Sequence, residues 1–213
     1  MASHLSLTDL EKEQLLLLSR NAIQYCFEAS GRGHSLFAAP INLADCEKVL
    51  FKEYSDQDIP VLQETLTCFV TLYTLENDDR RLRGCIGTVE ARSGETLLEN
   101  LISNSIMAAF KDSRFEPLQE KDLATTLIEI SILSQPRPIE FKTKEALFSL
   151  IRGKGVVLQA GINRATYLPQ VWEQISEPKE FLSHLARKAG IFSGDYLNAS
   201  FEIYEVYSFE DSE

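Results

Sequence analysis

The run Thr67-Cys68-Phe69-Val70-Thr71-Leu72-Tyr73-Thr74-Leu75 does most to limit what this chain can become. It is dense in β-branched and aromatic side chains, which suit a pleated, partly buried surface and lose rotamer freedom in a helix. Glu76-Asn77-Asp78-Asp79 then reads as a polar turn, and the chain returns over residues 81–88. Two extended arms joined by such a turn predict a β-hairpin. A hairpin must find a sheet, so whatever the returning arm carries is held on a rigid support.

That arm carries Leu82-Arg83-Gly84-Cys85-Ile86-Gly87, a cysteine between two glycines with an arginine two positions before it. In an unbroken strand Arg83, Cys85 and Gly87 share one face, because strand side chains alternate. A guanidinium beside a thiol favours the thiolate, the form that acts as nucleophile or metal ligand. Gly84 and Gly87 would let a backbone or a ligand come close, or allow a torsion closed to other residues. The competing reading makes Cys85 a small buried thiol under a glycine-rich turn, since free cysteine is among the most buried residue types.

The rest of the chain alternates helices with further strands. Thr8-Asp9-Leu10-Glu11 is a capping box that opens a helix to about residue 29, with Leu15, Leu18, Ala22 and Tyr25 or Cys26 on its apolar face. Residues 30–63 have a weak pattern and read as a long surface connection carrying His34. Ser93-Gly94-Glu95-Thr96 opens a second helix through about Phe110, followed by a charged loop, Lys111-Asp112-Ser113-Arg114-Phe115-Glu116-Pro117-Leu118. Asp112 and Arg114 there are either functional loop residues or an ion pair that stiffens the turn. Leu127-Ile128-Glu129-Ile130-Ser131-Ile132-Leu133 alternates, isoleucines on one face and Glu129 with Ser131 on the other. Pro136-Arg137-Pro138 is expected to end that strand. A short helix over 143–151, a hairpin over 156–168, a helix from Pro178 to Ala189 and one strand over 200–209 complete the order. Gly153-Lys154-Gly155 lacks the spacing of a phosphate-binding loop. Hairpins mixed with helices indicate an α+β fold with antiparallel or mixed sheets and packed helices.

Bulk properties narrow the function classes. A chain of 213 residues forms one large domain or two small, intimately packed ones. Cys26, Cys46, Cys68 and Cys85 form neither a CxxC pair nor a zinc pattern, so no metal is expected and the thiols read as reduced and intracellular. No apolar run is long enough to span a membrane, and the N-terminal residues lack a secretory pattern, so the expected location is the cytoplasm. A net charge of −11 works against a nucleic-acid platform.

Five stretches together carry a family resemblance. They are Leu82-Arg83-Gly84-Cys85-Ile86-Gly87-Thr88, Asp112-Ser113-Arg114-Phe115-Glu116-Pro117-Leu118, Ile128-Glu129-Ile130-Ser131-Ile132-Leu133, Ala165-Thr166-Tyr167-Leu168-Pro169-Gln170-Val171-Trp172 and Phe181-Leu182-Ser183-His184-Leu185-Ala186-Arg187-Lys188-Ala189-Gly190. With them the chain resembles the AMMECR domain family, known in prokaryotes as AmmeMemoRadiSam system protein A. The resemblance implies one AMMECR-type domain over residues 1–213, with a larger and a smaller part around a cleft. It also implies association with a Memo-like protein and a radical S-adenosylmethionine enzyme, and it names no cofactor and no reaction.

Two functions from different classes follow. In the first, the chain is a ligand- or partner-binding component in which Arg83, Gly84, Gly87 and Arg114 shape a site for a small anionic ligand or a peptide. In the second, it is an enzyme with Cys85 as nucleophile, arginines holding an anionic group, and Glu129 or Asp112 managing protons. His4, His34 and His184 are the only histidines, so a Cys–His pair would have to use His184.

Overall fold

A computed structural model describes residues 5–31, 49–50, 59–76, 79–192 and 198–211. His4, His34, Cys46 and most of the expected connection over 30–63 therefore lie outside the described residues. The chain divides into two compact units, one of Met1–Ile132 with Tyr207–Glu213 and one of Leu133–Val206. Its elements are α+β with two four-stranded sheets, as the order of predicted helices and hairpins indicated. Among the described residues no helix is long and apolar enough to cross a membrane.

In the first unit, α1 (Asp9–Gly31) starts at the expected capping box. The Thr8 amide donates to Glu11 Oε2 at 2.7 Å and the Glu11 amide donates to Thr8 Oγ1 at 3.2 Å. Leu15, Leu18, Ala22 and Cys26 are buried along one face of α1. A 3-10 turn at Pro60–Gln63 leads to β1 (Thr67–Glu76) and β2 (Asp79–Gly87), the antiparallel hairpin. Cys68, Val70 and Leu72 are fully buried on one face of β1, against α2 (Leu97–Phe110). Thr96 caps α2 through a second reciprocal box with Glu99. Where the β1–β2 ladder ends, α2 holds the Cys68 main chain: Asn100 Oδ1 accepts the Cys68 N–H at 2.8 Å, and Asn104 Nδ2 donates at 3.0 Å to the Cys68 carbonyl, which also accepts the Thr88 N–H at 3.4 Å. Buried main-chain groups need such partners. The one-turn α3 (Glu120–Leu123) precedes β3 (Thr126–Leu133), whose isoleucines are buried as the alternation predicted.

The second unit holds β4 (Arg137–Ile139), α4 (Lys144–Ile151), β5 (Gly155–Ala160), β6 (Asn163–Tyr167), α5 (Val171–Gln174), α6 (Pro178–Lys188) and β7 (Ser200–Tyr204). Its sheet runs β4-β7-β5-β6, with antiparallel pairs throughout. Trp172 stacks on Phe181, ring centroids 3.9 Å apart, over a core that includes Leu147, Val156, Leu158, Leu185 and Phe201.

The strand over 127–133 stops before Pro136-Arg137-Pro138, as expected, but a strand absent from the expected order, β4, follows at once, a three-residue edge strand where a proline breaks no inner ladder. The expected last strand is not continuous. It breaks at Glu205 into β7 and β8 (Val206–Glu210), which belong to different sheets. Glu205 is held by Ser134, whose amide donates to the Glu205 carbonyl at 2.9 Å and whose Oγ accepts the Glu205 N–H at 3.0 Å. The Glu205 carboxylate also pairs with Lys154. The sheet of the first unit thus has the order β2-β1-β3-β8, with β2 at one edge.

Candidate functional site

An edge strand offers main-chain groups to anything that approaches, and β2 is such a strand. At Cys85 both of these groups are occupied by side chains of the loop that follows α2. Asp112 Oδ2 accepts the Cys85 N–H at 2.9 Å, and Arg114 Nη2 donates to the Cys85 carbonyl at 3.2 Å. Asp112 also organises its own loop: its Oδ1 accepts from the Arg114 amide at 3.2 Å and from Arg114 Nε at 2.9 Å, while Oδ2 takes Arg114 Nη2 at 2.6 Å. The short turn from an aspartate to the amide two residues on is a common local device. Here it aims a carboxylate and a guanidinium at one residue of β2, so that Asp112 and Arg114 stand in for the strand the edge lacks.

The Arg114 guanidinium, reinforced by the amides of Cys85 and Arg114, holds the Asp112 carboxyl well below the usual carboxylate range, against the opposing effect of burial. The Asp112 side chain is only 4% exposed, whereas that of Arg114 is 56% exposed. Asp112 is therefore a charged, fully engaged anchor at neutral pH, and Arg114 keeps one side open to solvent.

Because the N–H and C=O of Cys85 both point away from β1, its pairing with Thr71 is a non-hydrogen-bonded one, the closer of the two antiparallel arrangements. Thr71 Oγ1 accordingly reaches Cys85 Sγ at 3.3 Å and donates to it. Cys85 is half-buried, while Cys26 and Cys68 are buried, and burial pushes the Cys68 thiol up to about 12.

The two glycines of the motif serve close approach. A Cβ on Gly84 would sit 2.1 Å from the Ala108 carbonyl oxygen, so the bare position admits the backbone of α2. A Cβ on Gly87 would sit 2.2 Å from the Phe69 ring and 2.7 Å from the Cys68 carbonyl oxygen. Arg83 lies at an irregularity of the strand. The register steps from Gly84↔Leu72 to Leu82↔Tyr73, leaving Arg83 as the extra residue of a β-bulge. A bulge breaks the alternation, so parity cannot be carried from Cys85 to Arg83. Arg83 is half-buried and makes no side-chain hydrogen bond or ion pair among the described residues.

Glu129 stands on the face of β3 opposite the isoleucines. Tyr73 donates from its hydroxyl to Glu129 Oε2 at 3.5 Å, and Ser131 Oγ donates to Oε1 at 3.4 Å. Ser131 in turn meets Ser208 Oγ of β8 at 2.8 Å. Burial first, then the charges of Glu129 and Cys85, raise the Tyr73 phenol above its ordinary value, with Arg80 acting in the opposite sense. Cys85, Asp112 and Arg114 are thus in direct contact, and Glu129 joins the same sheet through Tyr73. His184 belongs to α6, in the other unit.

All of these groups fall inside one stretch that matches a family model, AMMECR1, over residues 42–211. The chain belongs to the AMMECR1 family. Curated relatives are similar over most of their length. Protein MJ0810 of Methanocaldococcus jannaschii is 34% identical over 172 residues, which is 78% of this chain and 82% of that protein. Protein SSO0193 of Saccharolobus solfataricus is 35% identical over 155 residues, 71% of this chain and 67% of that protein. Among solved structures, the uncharacterized protein PH0010 from Pyrococcus horikoshii superposes with a TM-score of 0.64 at 25% identity, covering 96% of this chain and 93% of that one.

For this AMMECR1-family chain the residues that sequence reasoning passed over are Thr71, Tyr73 and Ser208. Thr71 and Tyr73 sat in plain view within the strongest strand, at positions of one parity. What would have selected them is the hairpin register, and the bulge at Arg83 makes that register unreadable from the turn alone.

Proposed function

We propose that this chain is a binding component whose site is centred on the Cys85 thiol, presented from the edge of the first unit's sheet. The observation that carries this reading is the disposition of Cys85: both main-chain groups are clamped by Asp112 and Arg114, while the residue is only half-buried and its sulfur lies beside a hydroxyl donor. Two charged residues, one of them buried, fix a single position of an edge strand. Such preorganisation is what a ligand site needs from its support. The outward side of Arg114 and the bulge residue Arg83 supply cations for an anionic group on a small ligand or a peptide.

Family membership supports a cytoplasmic component that acts with a Memo-like protein and a radical S-adenosylmethionine enzyme. The net charge of −11 disfavours nucleic acid as a partner.

The test is the pH dependence of alkylation at each cysteine of the native protein, read by peptide mass. Cys85 is expected to react in the folded state, with Cys26 and Cys68 protected until denaturant is added. Protection of Cys85 to the same degree as Cys68 would reject the reading.

A second reading, enzymatic use of Cys85 as a nucleophile, is favoured by the Thr71 Oγ1–Sγ contact of 3.3 Å. A hydroxyl donor to sulfur stabilises its charged form. On that reading Cys85→Ser abolishes turnover of any substrate found for the family, by a factor of about 1,000 or more, and a fully active Cys85→Ser protein would remove it.

A further inference from the structure

The sheet face that presents Cys85 also carries an uncompensated carboxylate. Glu129 is half-buried on that face, and among the described residues it makes no ion pair. Its two oxygens accept only the long bonds from Tyr73 and Ser131, at 3.5 and 3.4 Å, near the outer limit for a hydrogen bond. An ionised carboxylate has about four acceptor sites, so most of this capacity is open. On the same side Arg80 lies over the Tyr73 ring at 5.6 Å and is paired with Glu210 at 2.7 Å. Arg80, Glu210 and Glu129 together leave one negative charge.

Register gives the spacing. Cys85 is opposite Thr71, and Tyr73 lies two residues further along β1 on the same face. Two strand residues span about 6.8 Å, and the Tyr73 side chain then reaches across to Glu129. β1 separates the strands that carry them, so thiol and carboxylate sit on one side of one sheet about two strand spacings, roughly 10 Å, apart.

We propose that Glu129, backed by Tyr73 and Ser131, is the subsite for a protonated amino group, and that the ligand brought to Cys85 is an amine-bearing small molecule or side chain. The proposal rests on the reading of Cys85 as a presented thiol and gives that site its charge preference. Ser208 orients Ser131 from β8, so the hydroxyls on either side of the carboxylate are held by the sheet. Arg114, on the far side of the Cys85 backbone, is left to meet an anionic group on the same ligand.

Three methanethiosulfonate probes of similar size measure this directly: aminoethyl (cationic), methyl (neutral) and sulfonatoethyl (anionic). In each, the Cys85 thiolate attacks the sulfenyl sulfur, an S–S bond forms and methanesulfinate leaves with the electron pair of the broken bond. Second-order rates at Cys85 in the full chain are divided by those for a small free thiol. The cationic probe is expected to exceed the neutral one by about five- to tenfold at low salt and to lose most of that advantage at about 0.5 M salt. Glu129→Gln should bring the ratio to about one, whereas Glu173→Gln, which removes the same charge from an exposed position in the second unit, should leave it in place. A cation preference that is missing in the native protein, indifferent to salt, or intact in Glu129→Gln overturns the subsite while the presented thiol stands. A Cys85 that no probe reaches before unfolding overturns the thiol reading and the subsite with it.

Discussion

Gly84→Ala is expected to lower the unfolding free energy by about 3 kcal/mol or more, the upper end of what overpacking costs. The added methyl would fall 2.1 Å from the Ala108 carbonyl oxygen and 3.1 Å from its carbonyl carbon. Both are main-chain atoms, so no rotamer change relieves the clash and α2 has to move off β2. The loss should not stop at packing. Asn100 and Asn104 of the same helix hold the main chain of Cys68, and a shifted α2 loosens those bonds as well. Gly84 is not among the glycines with positive φ, so none of the expected loss is torsional strain. Gly94→Ala supplies the contrast, because its φ is +80° with nothing within 4 Å of the new methyl. That variant should lose about 1 kcal/mol, from strain alone. Urea midpoints for the two variants decide the matter. Equal small losses would mean that the α2–β2 contact relaxes freely, and the close-approach account of Gly84 would fail.

The second large effect is expected at Asp112. Asp112→Asn keeps the shape of the side chain but turns one of its two acceptors into a donor, while four donors still point at it. The Cys85 amide, the Arg114 amide and two guanidinium nitrogens cannot all be satisfied. The loss should be about 2–3 kcal/mol, the scale for charge-assisted hydrogen bonds in a buried place. It should show locally as faster hydrogen exchange at the Cys85 amide, which has no strand partner to fall back on. The folded-state pKa of Asp112 is depressed, so its stabilisation is fully present above the unfolded value of about 3.9 and is lost as pH falls below it toward the folded value. The native protein should therefore lose part of its stability on acidification below about pH 4, and Asp112→Asn should show a correspondingly flatter acid limb. An unchanged acid limb together with an unchanged Cys85 exchange rate would remove Asp112 from its role as anchor. Arg114→Lys tests the other half of the clamp. One ammonium cannot reproduce the two-pronged contact with Asp112, so Cys85 should become more mobile while the fold survives.

These two variants also separate the ways in which the motif acts. If Gly84→Ala unfolds the unit while Asp112→Asn leaves it folded with an altered Cys85, the glycine serves the core and the Asp112–Arg114 loop serves the site. The structure assigns them this way: Gly84 faces the helix, and Asp112 faces the edge of the sheet. A sheet edge closed by side chains is also protected from pairing with another chain. The clamp thus has a use in the free protein, and the half-buried Cys85 thiol beside the Thr71 hydroxyl is the feature that this use does not explain.

The sequence by itself determined most of the elements and their faces. The capping box at Thr8 is a local hydrogen-bond circuit completed within four residues, so it is legible without a fold. The same holds for the β-branched run of β1 and for the isoleucine alternation of β3, whose buried face is set by a period of two. Family membership was legible too, because the motifs recur in order along the chain. Only the tertiary structure decided what those motifs do. The pairing of Asp112 with Cys85 joins residues 27 positions apart through the far end of α2, and no periodicity records it. The bulge at Arg83 is a property of two strands and not of one, so parity within β2 does not decide which face Arg83 takes. The break at Glu205 likewise depends on Ser134 and Lys154, which are distant in sequence, and a run of strand-forming residues cannot show that its two halves enter different sheets. Local propensity fixes which residues extend or coil. Register, edge position and the partners of buried charges arise from contacts between distant segments, and those segments meet only when the chain folds.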